Sequence, residues 1–271
     1  MRILGRAVNL LFRRFGITRG YSNSSRNIES DLSQLLELPI EHCIDLLGRS
    51  FSLNGGNHWV EFLKEHTTQS IQNTRDSNLH KYYSEFTRRD ALKILFSSDY
   101  LANKADGFKQ VPNLFFPWSI GPEIQNYVSS STKTVVHGNP ESDYWGPKTT
   151  DQINQEYKRT VAIYTSIVRN GYTPELCRDK KRNLPAYPFG ILLKHGKKYR
   201  FLILSGKHKI SVLSVLGYRT VLVKPRPHGA WCHATYPLIV DSCNTKNWPC
   251  VRHGIYTEEE AKELLMVYFR N

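Results

Sequence analysis

Apolar residues recur along this chain at two periods, first that of a helix and later that of a strand. Leu4, Val8, Leu11, Phe12 and Phe15 share one helical face, while Arg2, Arg6, Asn9 and Arg13 fall on another, which predicts a basic amphipathic helix over residues 1–20. A small polar linker, GYSNSSRN, follows. Residues 29–106 read as mainly helical, with helical spacing in ESDLSQLLELPIEHCIDLLG, broken at Pro39, and again in RRDALKILFSSDYLA. Between these, NGGNHW sets a glycine turn beside His58 and Trp59, a motif that either lines a pocket or is ordinary loop chemistry. Residues 107–150 hold no sustained period and read as ordered loop or short strands joining two halves.

From residue 151 the pattern sharpens. Tyr157, Val161, Tyr164 and Val168 repeat at helical spacing, and Gly171 supplies a stop. FGILLK, YRFLILS and RTVLVK predict three strands, with HGKK as the turn between the first two. A helix from Lys207 to Leu216, ended by Gly217, joins the second strand to the third. Thr257 and Glu260 form a capping box that opens a last helix through Tyr268. These elements predict an α/β chain in three parts: the basic arm and linker at 1–28, a mainly helical region at 29–145, and a strand-bearing domain at 146–271.

Composition narrows the setting. No apolar run approaches the roughly 20 residues needed to cross a bilayer, so the expectation is a cytoplasmic protein, soluble or peripheral at a membrane. Five widely spaced cysteines predict reduced thiols. His228, Cys232, His233, Cys243, Cys250 and His253 crowd one region, but no C-x2-C pair accompanies them and no metal site is assigned.

The net charge of +13 is concentrated in two places. Residues 1–28 carry six arginines and no acid, and the stretch from Arg178 to His228 carries thirteen Lys/Arg against the single acid Asp179. Within that second stretch, the strand FLILS gives way to Gly206, Lys207, His208 and Lys209 at a helix start. Backbone N–H groups and aligned peptide dipoles make such a start positive, and basic side chains there lower helix stability. Stability alone predicts the opposite charge. Ser205, Gly206, Lys207, His208 and Lys209 are therefore expected to cradle an anion, with Gly206 admitting it close to the backbone. Phosphoryl transfer also requires carboxylate chemistry nearby. The acidic candidates near the turn are Glu175, just before the strands and paired with His208 as the catalytic expectation, and Glu156 on the preceding helix, where a solvated charge is the ordinary reading; Asp241 is more remote.

The element order around this turn resembles the ParB/sulfiredoxin-like superfamily, in which a Ser-Ile-x-x-x-Gly helix end precedes strands and a Gly-x-His/Arg-Arg turn that binds nucleotide phosphates. The matching residues are Ser166, Ile167 and Gly171, then Gly206, His208 and Lys209, with Leu216 and Gly217 closing the helix, over about residues 146–226. GPK at 146–148, Glu156, FLILSGKHK, LGY and NWPCVRHGIYTEEEA look more closely like ParB-like proteins of unassigned function found among bacterial surface-polysaccharide genes. Sulfiredoxins carry a catalytic cysteine where Lys207 stands, and partition-type ParB proteins follow this domain with a helix-turn-helix, where a proline- and cysteine-containing segment follows here. Neither activity is expected. The superfamily's free-serine kinases carry Asp-Gly-His-His-Arg in the turn; this chain lacks the acid and replaces the arginine by Lys209, a point charge without the bidentate fork.

The resemblance implies a small mixed sheet with helices that binds a nucleotide triphosphate, ATP or CTP with Mg2+, or a phosphorylated metabolite. It implies a small-molecule or sugar phosphotransferase linked to surface-polysaccharide synthesis. The rival expectation is a nucleic-acid or polyanion binder without chemistry, since Tyr187, Phe189, Tyr199 and Phe201 interleave with the basic stretch, although alternation assigns Phe189 and Phe201 to the core. For residues 1–20 three readings stand: a helix on an anionic membrane surface, a transit peptide, or a helix docked on its own protein. On the first reading, deleting residues 1–20 abolishes co-sedimentation with anionic vesicles and spares nucleotide binding; a full-length protein that ignores such vesicles at low salt rules it out.

Overall fold

The computed structural model describes residues 35–68, 74–96, 98–106, 116–118, 144–174, 187–225 and 237–270. The expected N-terminal helix and linker, Glu175, and the group His228, Cys232 and His233 lie outside these residues. The architecture is mixed α/β, with six strands in a mixed sheet.

The sheet is centred on β3 (Phe189–His195) and β4 (Lys198–Ser205), an antiparallel hairpin turning at Gly196 and Lys197. Ile191, Leu192 and Leu193 are all buried, as expected for a strand covered on both faces, which explains why FGILLK is a continuous apolar run. β5 (Thr220–Pro225) pairs parallel with the start of β3, and β6 (Ile239–Asp241) pairs parallel with its later half on the same edge. The three strands read from the sequence are thus present.

The outer strands correct the sequence reading. Residues Leu36–Pro39 form β1 and Cys43–Ile44 form β2, where the spacing predicts a helix. The same letters also alternate, Leu36, Leu38, Ile40, and the sheet uses that period: Leu36 and Leu38 are buried opposite Val223 and Val221 of antiparallel β5. Pro39 is tolerated because β1 is an edge strand. β2 runs parallel to β4 at the other edge, with only Ile40–His42 between β1 and β2. Four strand spacings of a flat sheet span about 19 Å, whereas the four Cα steps from Pro39 to Cys43 reach about 14 Å at most. The sheet must curl until its two edges meet one short segment.

Helices α1 (His58–Thr68), α2 (Asn78–Glu85), α5 (Thr150–Asn170) and α6 (Lys207–Val215) pack together, α1 and α5 both against α6. α3 (Arg88–Leu95) and α4 (Asp99–Asp106) divide the predicted RRDALKILFSSDYLA helix, and α3 packs against α8 (Glu258–Val267), which follows the short α7 (Pro249–Arg252). The capping box of Thr257 and Glu260 is present at α8. α5 ends at Gly171, as read, but its buried residues are Ile153, Thr160 and Ile167, and Val168 is 56% exposed. The inward stripe is therefore offset from the apolar one, and it carries Glu156.

Gly206, between β4 and α6, has φ 90°, and a Cβ there would lie 2.7 Å from Pro188 Cα. Both the left-handed backbone and the close pass of Pro188 demand glycine. Gly206→Ala is expected to destabilise the fold by ~1–3 kcal/mol, measured by urea unfolding; an unchanged midpoint would show that the turn relaxes freely.

Candidate functional site

The turn after β4 delivers its side chains in two directions. Lys207 and His208 are buried, 8% and 4% exposed, whereas Ser205, Gly206 and Lys209 are partly accessible. Lys207 and His208 are therefore not solvated charges at a helix end. The N-cap of α6 is Gly206, which has no side chain to offer the helix start. The Lys207 ammonium rests 4.8 Å from the ring centroid of Trp59 and 4.5 Å from that of Tyr144, where ring quadrupoles hold a cation without neutralising it.

His208 Nε2 lies 2.5 Å from Glu156 Oε1, and Trp59 Nε1 donates to that same oxygen at 3.1 Å. Burial pushes the Glu156 carboxyl up, but the hydrogen bond from His208 and the charges of His208, Lys207 and Arg159 overcome it and hold the carboxyl down at about 2. Glu156 is thus not the solvated surface charge that its helix suggests. An ionised carboxylate can only accept, so His208 Nε2 carries the shared proton. Burial also lowers the His208 pKa, reinforced by Lys207 and Arg159 and opposed by Glu156. A neutral His208 in this tautomer presents Nδ1 as its basic nitrogen.

A second polar array adjoins the first through α1. Asp45, wholly buried, accepts from the backbone N–H of Leu47 and Arg49, from Arg49 Nε at 2.8 Å and from Asn57 Nδ2 at 3.1 Å. Arg49 also donates to Tyr82 Oη at 2.9 Å and to His58 Nδ1 at 3.0 Å. Since a guanidinium can only donate, His58 accepts at Nδ1 and gives its Nε2 proton to Tyr83 Oη at 3.1 Å. Burial, then the charges of Arg49, Lys207, His208 and Lys148, press the His58 pKa far below its ordinary value. Lys148 itself rests 4.3 Å from the Tyr83 ring centroid. Three fixed cations, Arg49, Lys148 and Lys207, thus act on one neutral imidazole, with Asp45 and Glu156 as the carboxylates bonded into the two arrays.

The structure brings together Lys207, His208, Glu156, His58 and Trp59, all visible in the sequence reading. It places Asp241 elsewhere, opposite Lys194 near the far end of β3 and 3.3 Å from its ammonium, whereas Ser205 pairs with Phe189 at the near end. Glu175 lies outside the described residues. Arg49, Asp45, Tyr82, Tyr83 and Tyr144 were missed as site residues, and Lys148 appeared only inside the GPK motif; nothing local distinguishes a buried Arg49–Asp45 pair from a surface one before the fold is known. Among the described residues, no group of three or more His, Cys, Asp or Glu is placed to hold a metal ion, and no helix is long and apolar enough to cross a membrane. Burial raises the thiols of Cys43 and Cys250, the latter to about 12, which makes them packing residues. No family model, curated protein or solved structure matches this chain.

Because the Glu156 pKa is depressed by folding, its contribution to stability is fully present above the ordinary value of 4.5 and is lost as pH falls through about 2. The lowered His208 pKa acts with the same sign below 6.5. Glu156→Gln should cost about 2 kcal/mol at pH 7, the scale of one charge-assisted buried bond, and flatten the acid decline between pH 4.5 and 2. Urea denaturation across that range provides the measurement; parallel curves for the two proteins would contradict the assignment.

Proposed function

We propose that this chain binds a nucleotide, ATP or CTP, or another phosphorylated metabolite at the start of α6, and transfers a phosphoryl group to the hydroxyl of a small molecule or sugar. The observation that carries this reading is a buried imidazole–carboxylate pair, His208 and Glu156, set at a helix start whose N-cap is Gly206. Carboxylate, imidazole and a neighbouring anion subsite are the parts that base-assisted attack of a hydroxyl requires.

In this proposal Lys207, Lys148 and the start of α6 hold phosphate oxygens, using their fixed positive charge and the helix dipole. His208 takes the acceptor hydroxyl's proton on Nδ1, and Glu156 stabilises the imidazolium that forms. The bound nucleotide supplies the phosphoryl group, whose bond to the leaving phosphate oxygen breaks as the bond to the acceptor oxygen forms; Mg2+ enters on its phosphates. Gly206 serves the turn and Pro188 first, so the approach of an anion to the backbone is a secondary use of that glycine.

The resemblance to ParB/sulfiredoxin-like proteins supports the same site, since its Gly-x-His-Lys turn lies at the junction of β4 and α6. It also supports a sugar acceptor and a place in surface-polysaccharide synthesis, and the basic residues 1–20 support a position at the inner membrane surface. The rival nucleic-acid reading draws less support: Phe201 is wholly buried and Tyr199 nearly so, which withdraws two of the four rings that would stack on bases.

Calorimetric titration with ATP and with CTP, each with Mg2+, tests the proposal. Lys148→Ala should weaken binding by ~1–3 kcal/mol, while His208→Gln should keep affinity and lower turnover by about 10²–10⁴-fold. Wild-type protein that binds neither nucleotide but binds single-stranded nucleic acid with steep salt dependence would select the rival reading.

A further inference from the structure

Trp59 sits where the two polar arrays meet. Its backbone N–H donates to Asn57 Oδ1 at 3.1 Å, and Asn57 in turn donates to Asp45. Its indole packs edge-on to Tyr144, with ring centroids 5.7 Å apart, and to His208 at 5.3 Å, and it carries the Lys207 ammonium on its face. The residue is wholly buried, and its one polar side-chain atom is committed to Glu156 Oε1.

A buried indole N–H must find an acceptor, and a backbone carbonyl would suffice for packing alone. Here the acceptor is a carboxylate oxygen already engaged by an imidazole. Two donors from different helices on one oxygen fix the rotation of the carboxylate and draw off part of its charge. Trp59 thus joins two hydrogen-bonded sets, its backbone N–H bound to the Asn57–Asp45 set and its indole N–H to the Glu156–His208 pair.

We infer that Trp59 is a positioning residue for the His208–Glu156 pair: its indole N–H holds Glu156 Oε1 in line with His208 Nε2 and restrains the pull of the carboxylate on the imidazole, which sets the basicity of His208 Nδ1. The inference rests on reading that pair as the acid–base element of the site. The charged and titratable groups around His208 are Glu156 and Arg159 on α5, Lys207 on its own helix and His58 on α1, with Arg49 and Lys148 acting on His58. Of these, Glu156 favours the imidazolium and the cations oppose it. Removing the indole N–H leaves more negative charge on Oε1, so the imidazolium gains and His208 titrates at higher pH.

The test is a pH titration of the imidazole resonances of the full-length protein by NMR, without ligand, with the His208 signal identified by its loss in His208→Gln. Trp59→Phe should move the His208 midpoint upward by about half a pH unit or more. Since Trp59→Phe also opens space in the core, a second protein carries benzothienylalanine at position 59, which keeps the two-ring shape and replaces the N–H by sulfur; the same upward shift is expected. A midpoint that stays in place or falls in the folded benzothienylalanine protein overturns the inference, because a packing role alone leaves the titration unmoved. The titration requires neither nucleotide nor turnover, so its failure removes the role of Trp59 and leaves the anion site to its own test, while failed nucleotide binding leaves the titration result standing.

Discussion

A carboxylate buried among helices is stable only if donors already stand in place to replace the water it has lost. Glu156 meets that condition with one donor from α1 and one from α6, while its own backbone belongs to α5. The position of each helix is therefore tied to the other two through a single oxygen. Losing either donor leaves a charge in an apolar setting, and the cost falls on all three helices together. The arrangement of Lys207 over Trp59 and Tyr144 depends on the same anchor, because Trp59 faces Glu156 with its edge and Lys207 with its face.

The two lysines show a second principle. Aromatic faces offer a cation a moderate electrostatic attraction through the ring quadrupole. Lys207 on Trp59 and Tyr144, and Lys148 on Tyr83, rest on rings in this manner, and both act on His58. The neutrality of His58 follows first from its burial and then from the charges of Arg49, Lys207, His208 and Lys148, and a neutral imidazole beside these cations adds no further repulsion.

What the sequence revealed of this arrangement depended on range. β3, β4, β5 and α6 were legible because each is a local apolar run with a local turn signal. The segment Leu36–Ile44 misled because its leucines satisfy two periods at once, and the choice was made by β5, nearly two hundred residues away. The turn Gly206–Lys209 was legible as a strand-to-helix junction, but the inward course of Lys207 and His208 was not, since it is set by α1 and α5. Glu156 was seen and misjudged: an acid on a long amphipathic helix is ordinarily solvated, and the offset of the buried stripe on α5 appears only when Ile153, Thr160 and Ile167 are found inside. The Asp45–Arg49–His58 array left no local mark, because its members gain meaning only from mutual contact.

The curl of the sheet imposes an order of assembly on the chain as it is made. Both edge strands come from one segment near the N-terminus, Leu36–Ile44, and their partners are β4, ending at Ser205, and β5, ending at Pro225. During synthesis that segment leaves the ribosome well before its partners and waits, with Leu36, Leu38 and Ile44 unburied, until residue 225 has followed it out. The closure of the sheet thus joins segments made far apart in time.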